Sequence, residues 1–219
     1  NFKNQNANHN NWRFNTHYQS RNRRYNIYGI FINNKLKSAE NGGIEDENAL
    51  NDVGINDPFL VPVRLGNNSG FVRNFFNTSV TTGNIYRENA LMIRQQYDLG
   101  QKDSLVINDS TTIRLFYPRV RFQHSFTWNE RNFLFQDLLS SPTKQADYLK
   151  FFGFNINNDS VMFRDKWHDL VNDLSIISFP EKNNLNQYLK AGISIQNLFG
   201  NLGGNKQSFY NLILSGEYR

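Results

Sequence analysis

The residues of this chain that could carry chemistry are few and widely spaced. There is no cysteine, which excludes disulfides, thiolate metal sites and cysteine nucleophiles. The four histidines, His9, His17, His124 and His168, are too far apart to form a local zinc motif. We therefore expect them to have structural or solvent-exposed roles, although His124 is unusual because it interrupts an apolar alternation.

Two acidic patterns could indicate a metal or acid–base site. Glu45, Asp46 and Glu47 form an acidic run, but the segment lacks the spaced oxygen ligands of a twelve-residue calcium loop. Asp165 and Asp169 would share one face of a helix, but no second partner marks them as an acid–base pair. No glycine-rich phosphate loop and no nucleophile elbow is present. We expect no enzymatic activity, no cofactor and no metal.

The composition favours an all-β protein. Of the 219 residues, 38% are hydrophobic and 15% are aromatic, 35 are asparagine, and the mean hydropathy is −0.64. The net charge of +5 comes from scattered basic residues rather than one basic block, so we expect no nucleic-acid partner. The sequence has no run of about 18 apolar residues, so it predicts no membrane-spanning helix. Spanning β-strands stay compatible with this hydropathy, because half of each such strand is polar.

Two stretches alternate polar and apolar side chains at a period of two. In PRVRFQHSFTW, residues 118–128, the polar and apolar groups occupy opposite parities, and RENALMIRQQYDLG, residues 87–100, alternates in the same way. This pattern predicts strands with one wet face and one apolar face. A strand from residue 12 to 18, a turn at 20–23 and a return strand from 25 to 37 predict a hairpin, although the facing of the return strand stays open.

The predicted strands are long, and the segments between them are uneven. About eight or nine strands of about 9 to 13 residues exceed the 5 or 6 residues typical of soluble proteins and match the 9 to 11 needed to cross a bilayer. Turns are predicted at 100–103 and 129–132, and residues 38–69 predict a long loop. Residues 160–174 fit either a helix or a strand, because Phe163, Trp167 and Leu170 have helical spacing. Aromatic residues near strand ends suit interfacial girdles.

These features predict an all-β, antiparallel transmembrane β-barrel with long loops on one side and short turns on the other. Closure pairs every backbone group, which matters in hydrocarbon, where an unpaired N–H or C=O costs several kcal/mol. We expect residues 1–219 to be a single barrel region and part of a larger barrel, because the last segment stops within an apparent strand.

Several segments together resemble a known family. They are IYGIFINNKLKSAENGGI at 27–44, FLVPVRL at 59–65, the stretches at 87–100 and 118–128, and the closing KAGISIQ and LILSGEYR. The chain resembles the putative porins, which are large outer-membrane β-barrels of Gram-negative bacteria, from about residue 12 to 219. The resemblance implies an outer-membrane location and a channel function, with no defined catalytic or cofactor residues.

The barrel prediction assigns side chains to two environments. The predicted lumen-lining residues are Arg13, Arg94, Gln96, Arg119, Arg121, Gln123 and Lys190. The predicted lipid-facing residues are Leu91, Ile93, Val120, Phe122, Phe126 and Trp128. Rings of arginine or lysine favour anions in a pore. The alternative is that these charges only hydrate the lumen, bind a plug, or pair with Asp98 and Glu217.

Three functions compete at this point. The first is passive diffusion of small polar solutes, with anions as one option, through an outer-membrane barrel that contacts membrane lipid. The second is a structural or assembly subunit with an occluded barrel, bound to other outer-membrane or envelope proteins. The third is a soluble β-sandwich that binds carbohydrate through its aromatic residues.

Overall fold

The computed structural model of the protein describes residues 4–66, 80–108, 111–139, 141–153, 155–157, 160–182 and 184–219. The strands are β1 (Ala7–Gln19), β2 (Tyr25–Ala39), β3 (Thr82–Asn108), β4 (Thr111–Asp137), β5 (Val161–Ser178), β6 (Leu189–Leu202) and β7 (Asn205–Tyr218). One α-helix, α1, spans Lys144–Phe152, and two short 3-10 helices span Glu47–Leu50 and Pro58–Leu60. No helix in these ranges is long and apolar enough to cross a membrane.

The strands form one antiparallel sheet in which each strand pairs with its neighbours in the chain. The order is β1 to β7 without a crossover among the described residues. Strand β1 pairs only with β2, and β7 pairs only with β6, so the sheet is open at both edges. The all-β antiparallel prediction is therefore confirmed, whereas closure into a barrel is not part of the observed sheet.

The hairpin of β3 and β4 is longer than the sequence pattern predicts. Each strand has 27 residues, and pairing continues through both segments predicted as turns, 100–103 and 129–132. A register shift lies between Leu99 and Gly100. A Cβ atom at Gly100 would lie 2.0 Å from the carbonyl oxygen of Tyr117, so only glycine permits this close approach. The glycine thus marks a bulge rather than the predicted turn.

Residues 161–178 are a strand, so the helical alternative for 160–174 is wrong. β5 pairs with β4 along its whole length and with β6 from Lys166 to Ser178. The apolar residues at helical spacing divide between the two faces of the strand, with Phe163 and Trp167 on one side and Leu170 and Leu174 on the other. The described α-helix, α1, lies earlier in the chain and is followed by Gly153, its C-cap, which has a left-handed φ of 74°.

The connections at the two ends of the sheet differ. One end, called here the long-loop end, carries the described parts of the segments 40–81 and 138–160, including α1, and a tight turn at Gly203 and Gly204. The opposite end carries the predicted turn between β1 and β2, the Asn108 and Thr111 ends of β3 and β4, and the described part of the segment 179–188. The predicted loop at 38–69 lies at the long-loop end, except that β2 continues to Ala39 and residues 67–69 are outside the described ranges.

The small buried core lies at the long-loop end. Leu65, Tyr148 and Val161 form it, and Phe135 and Ile156 pack against it. Through this core, α1 and the part of the chain around Leu65 pack against one face of the sheet, at β4 and β5. Elsewhere the sheet is a single layer in the described residues, so most of its side chains are not covered by other parts of the chain.

Candidate functional site

Strand pairing determines which side chains share a face of the sheet. Directly paired residues of antiparallel strands point the same way, and successive residues point to opposite faces. Leu91 pairs with Trp128, and Trp128 pairs with Leu170, so these residues share what we call the apolar face. The opposite side, which carries Arg94 and its paired neighbour Ser125, is called the polar face.

The register divides the predicted site residues into two groups. The six residues predicted to contact lipid, Leu91, Ile93, Val120, Phe122, Phe126 and Trp128, share the apolar face. Six of the seven predicted lumen residues, Arg13, Arg94, Gln96, Arg121, Gln123 and Lys190, share the polar face. Arg119 lies beside the bulge, and its Nη1 donates to the carbonyl oxygen of Pro180 at 2.6 Å. The contact of each face with lipid or water stays a prediction.

The apolar residues form a continuous band across the sheet, which we call the apolar band. At its border nearest the long-loop end, paired positions on the successive strands are Phe14, Phe31, Leu91, Trp128, Leu170, Asn197 and Tyr210. On strands β4 and β5, which are flanked on both sides, Phe122 is still 44% exposed and Leu174 is 52% exposed. The band therefore has no covering layer in the described residues, and such an extended apolar surface marks a contact with an apolar environment or partner.

The polar face carries both charge signs, and some charges are paired. The guanidinium of Arg121 donates two hydrogen bonds to the carboxylate of Asp98, at 2.7 and 3.0 Å. Nearer the long-loop end, Nε of Arg131 donates to Oε1 of Glu88 at 3.0 Å. Arg121 therefore has the Asp98 partner that the alternative predicted, whereas the lining of a lumen by these residues stays a prediction. The positive charge of that residue is balanced locally.

A polar pocket of about 290 Å³ lies between β3, β4, β5, β6 and β7. Its charged lining consists of Arg94, Lys190 and Asp173. Its neutral polar lining includes Gln123, Ser125, Ser175, Ser194 and Ser215. Neither Arg94 nor Lys190 has an ion-pair partner within the part of the chain that the structure describes. The pocket offers hydrogen-bond donors, acceptors and two cationic groups to a small polar solute.

The candidate chemical residues are not brought together. His17 stacks on Tyr28 with ring centroids 4.3 Å apart, and His168 stacks on Phe199 at 5.1 Å. His124 lies within the apolar band, with Nε2 3.5 Å from Oδ1 of Asn172. No group of three histidine, aspartate or glutamate side chains that could hold a metal occurs among the described residues.

The two acidic patterns noted in the sequence have local structural partners. The backbone N–H of Gly203 donates to Asp165 at 2.7 Å, and Gln196 donates to Asp169 at 3.0 Å. Because residues 161–178 are a strand, these two aspartates lie on one face of β5 rather than on one face of a helix. In the acidic run, Asp46 accepts a hydrogen bond from the backbone N–H of Asn48 and caps a 3-10 helix.

A buried polar cluster at the long-loop end was not predicted from the sequence. We call it the Asp137 cluster; its members are Thr82, Asp137, Lys144 and Tyr148, all at most 4% exposed. The hydroxyls of Thr82 and Tyr148 each donate to Asp137 at 2.8 Å, and Nζ of Lys144 lies 3.2 Å from its Oδ2. Burial and the Asp137 carboxylate raise the pKa of the Tyr148 phenol. The cluster fixes α1 against the polar face.

The strands form an all-β antiparallel sheet, and its two faces differ, because one carries the apolar band and the other carries most of the charged residues at the level of that band. A family model described as "Putative porin" matches residues 1–216, and the chain belongs to that family. Membership indicates a porin-like outer-membrane protein. No curated protein and no solved structure matches the chain.

Proposed function

We propose that the chain forms part of a transmembrane β-barrel in the outer membrane of a Gram-negative bacterium. Its apolar face contacts lipid, its polar face lines a water-filled lumen, and small polar solutes diffuse through it without a chemical step. The observation that carries this proposal is the placement of charge across the sheet: the apolar band runs along one side of all seven described strands, whereas the charged residues at its level, among them Arg94, Arg121 and Lys190, lie on the other side.

The position of the loops supports the same sidedness. Helix α1 and Leu65 pack against Phe135 and Asp137, which are polar-face residues of β4. The guanidinium carbon of Arg64 lies 5.1 Å from the ring centroid of Phe151 in α1, which extends this contact. Chain segments that fold over the polar face belong inside a barrel, because the outer surface must stay free for lipid.

The open edges require partners in a membrane. Strands β1 and β7 each leave one row of backbone donors and acceptors unpaired by the described sheet. Each unsatisfied group in hydrocarbon costs several kcal/mol. We therefore propose that further strands pair with these edges and complete a larger barrel.

The proposed solute preference is for anions and depends on the unpaired cations of the polar face. Arg94 and Lys190 line the polar pocket, whereas Arg121 is balanced by Asp98. Fixed cations lower the electrostatic barrier for negative solutes, and nearby carboxylates such as Asp173 weaken the effect. The expected anion preference is therefore modest.

Planar-bilayer recording of the full-length protein tests the channel proposal. We expect stepwise currents and a reversal potential, under a salt gradient, that indicates a modest anion preference. Absence of any current from protein that has inserted would contradict passive diffusion. Currents with cation preference would contradict only the proposed role of Arg94 and Lys190.

A second candidate is an assembly subunit with an occluded barrel. The Asp137 cluster supports it, because a helix fixed across the polar face narrows the path for solutes. Gentle detergent extraction distinguishes the candidates, since a subunit brings stoichiometric partners and a pore does not. The β-sandwich alternative has less support, because a sandwich packs two sheets face to face and the described strands form one sheet.

A further inference from the structure

A row of cations crosses the apolar face beyond the apolar band, on the side of the long-loop end. Its members occupy directly paired positions on successive strands: Asn10, Lys35, Arg87, Asn132, Lys166, Asn201 and Lys206. We call this set the basic row. Its cations are Lys35, Arg87, Lys166 and Lys206, its other members are neutral asparagines, and it contains no acidic residue.

The basic row is electrostatically unfavourable without an anion. Lys35 and Arg87 are directly opposite each other on β2 and β3, and like charges in this position destabilise a strand pair. Lys166 has a partner in Glu130, at 2.5 Å, which lies in the adjacent row. Lys35, Arg87 and Lys206 have no carboxylate at ion-pair distance in the described residues. An external anion would relieve this repulsion.

The height of the row above the apolar band matches the headgroup region of a membrane. Each cation is four positions from the last band residue of its strand, as Lys35 is from Phe31 and Arg87 is from Leu91. Four residues extend about 13 Å along a strand, or about 10 Å in height for a strand tilted by about 40°. The headgroup layer extends about 5 to 8 Å beyond the hydrocarbon, and long cationic side chains reach back toward it.

We propose that the basic row binds the phosphate groups of a phosphorylated lipid in the leaflet at the long-loop end, while the apolar band contacts its acyl chains. This inference rests on the proposed function, because it requires the apolar face to contact lipid. Asparagines between the cations supply amide donors to the remaining phosphate oxygens. Long loops of outer-membrane barrels are extracellular, so the lipid belongs to the outer leaflet.

Native mass spectrometry of the full-length protein in detergent micelles tests the inference, with lipid A as the probe. The variant K35Q/R87Q removes two cations of the basic row. The matched control R21Q/K102Q removes two cations at the opposite end. Each cation near a membrane surface strengthens the binding of an anionic lipid, so the loss of two cations in K35Q/R87Q is expected to lower lipid A affinity roughly thirtyfold. In the control, lipid A affinity is expected to change less than about twofold.

The source of the phosphate is distinguished in the same experiment. Lipid A without its phosphates is expected to bind the native protein as weakly as intact lipid A binds K35Q/R87Q, and inorganic phosphate alone is expected not to compete. Equal binding of both lipid forms, or equal affinity in the native protein and K35Q/R87Q, would overturn the inference. Failure of the protein to form channels bears on the proposed function instead, because lipid binding in micelles is measured without a current.

Discussion

Arg121 and Asp98 form a two-pronged ion pair between β4 and β3, with N–O distances of 2.7 and 3.0 Å. The Asp98 side chain is 6% exposed and the Arg121 side chain 26% exposed. The planar guanidinium matches both carboxylate oxygens, which fixes the geometry of the pair. The pair contributes no net charge to the polar face, although Arg121 taken alone predicts an anion-attracting group.

Replacing Asp98 with asparagine is expected to increase anion preference and to destabilise the protein. The substitution leaves the positive charge of Arg121 without a counter-charge. Removing one partner of a largely buried ion pair lowers the free energy of unfolding by on the order of 3 kcal/mol. Reversal potential and thermal unfolding in detergent measure the two effects. The charge-neutral control D98N/R121Q should keep the native reversal potential. An equal shift in the control would show that the charge of Arg121 is not responsible.

Removing the two cations of the polar pocket is expected to reduce anion permeability. In R94Q/K190Q the polar face loses two charges that have no ion-pair partner in the described residues, so the reversal potential should move toward that of a nonselective channel. The variant K35Q/R87Q removes the same charge from the apolar face and should leave the reversal potential unchanged. Equal shifts in both variants would contradict the assignment of the lumen to the polar face.

The Asp137 cluster predicts an alkaline transition in the docking of α1. Burial and the hydrogen bond to Asp137 raise the pKa of Tyr148 above its ordinary value of 10.0. The protonated phenol therefore stabilises the docked helix below pH 10.0, and this contribution is lost as the pH rises above that value. Conductance and tyrosinate difference absorbance, recorded together, should show a joint change in this alkaline range.

The variant Y148F is the control for this transition. It removes the titrating phenol and leaves the buried carboxylate of Asp137 with one donor fewer, at a cost of about 1 to 3 kcal/mol. We expect a lower unfolding temperature and no alkaline step that depends on this side chain. An unchanged alkaline step in Y148F would contradict the role of Tyr148.

The sequence predicts the amphipathic strands well because their alternation is regular. In 118–128 and 87–100, most apolar side chains of the apolar band have a polar neighbour on the opposite face, and the register places the two sets on opposite faces. The predicted turn at 129–132 is wrong for a physical reason. At Glu130 and Asn132 the strand continues beyond the apolar band, so its apolar-face positions become polar without any change in backbone direction.

Other features depend on contacts between distant segments. The facing of β2 could not be predicted, because Ile30 and Ile32 of the polar face are as apolar as Ile27 and Phe31 of the apolar face. The two polar-face isoleucines are paired with apolar residues of β3, Ile30 with Met92 and Ile32 with Ala90. The Asp137 cluster joins residues 55 positions apart in the chain. The basic row joins residues of all seven described strands, and no local pattern marks either set.

Cysteine labelling tests the central claim, that the apolar face contacts lipid and the polar face contacts water, most directly. The chain has no cysteine, so F122C and Q123C each carry one thiol, on adjacent residues with opposite facing. In membranes containing the full-length protein, a membrane-impermeant charged maleimide should label Q123C readily and F122C at least about tenfold more slowly, because dry hydrocarbon excludes charged reagents. Equal labelling of the two positions, or faster labelling of F122C, would contradict the account.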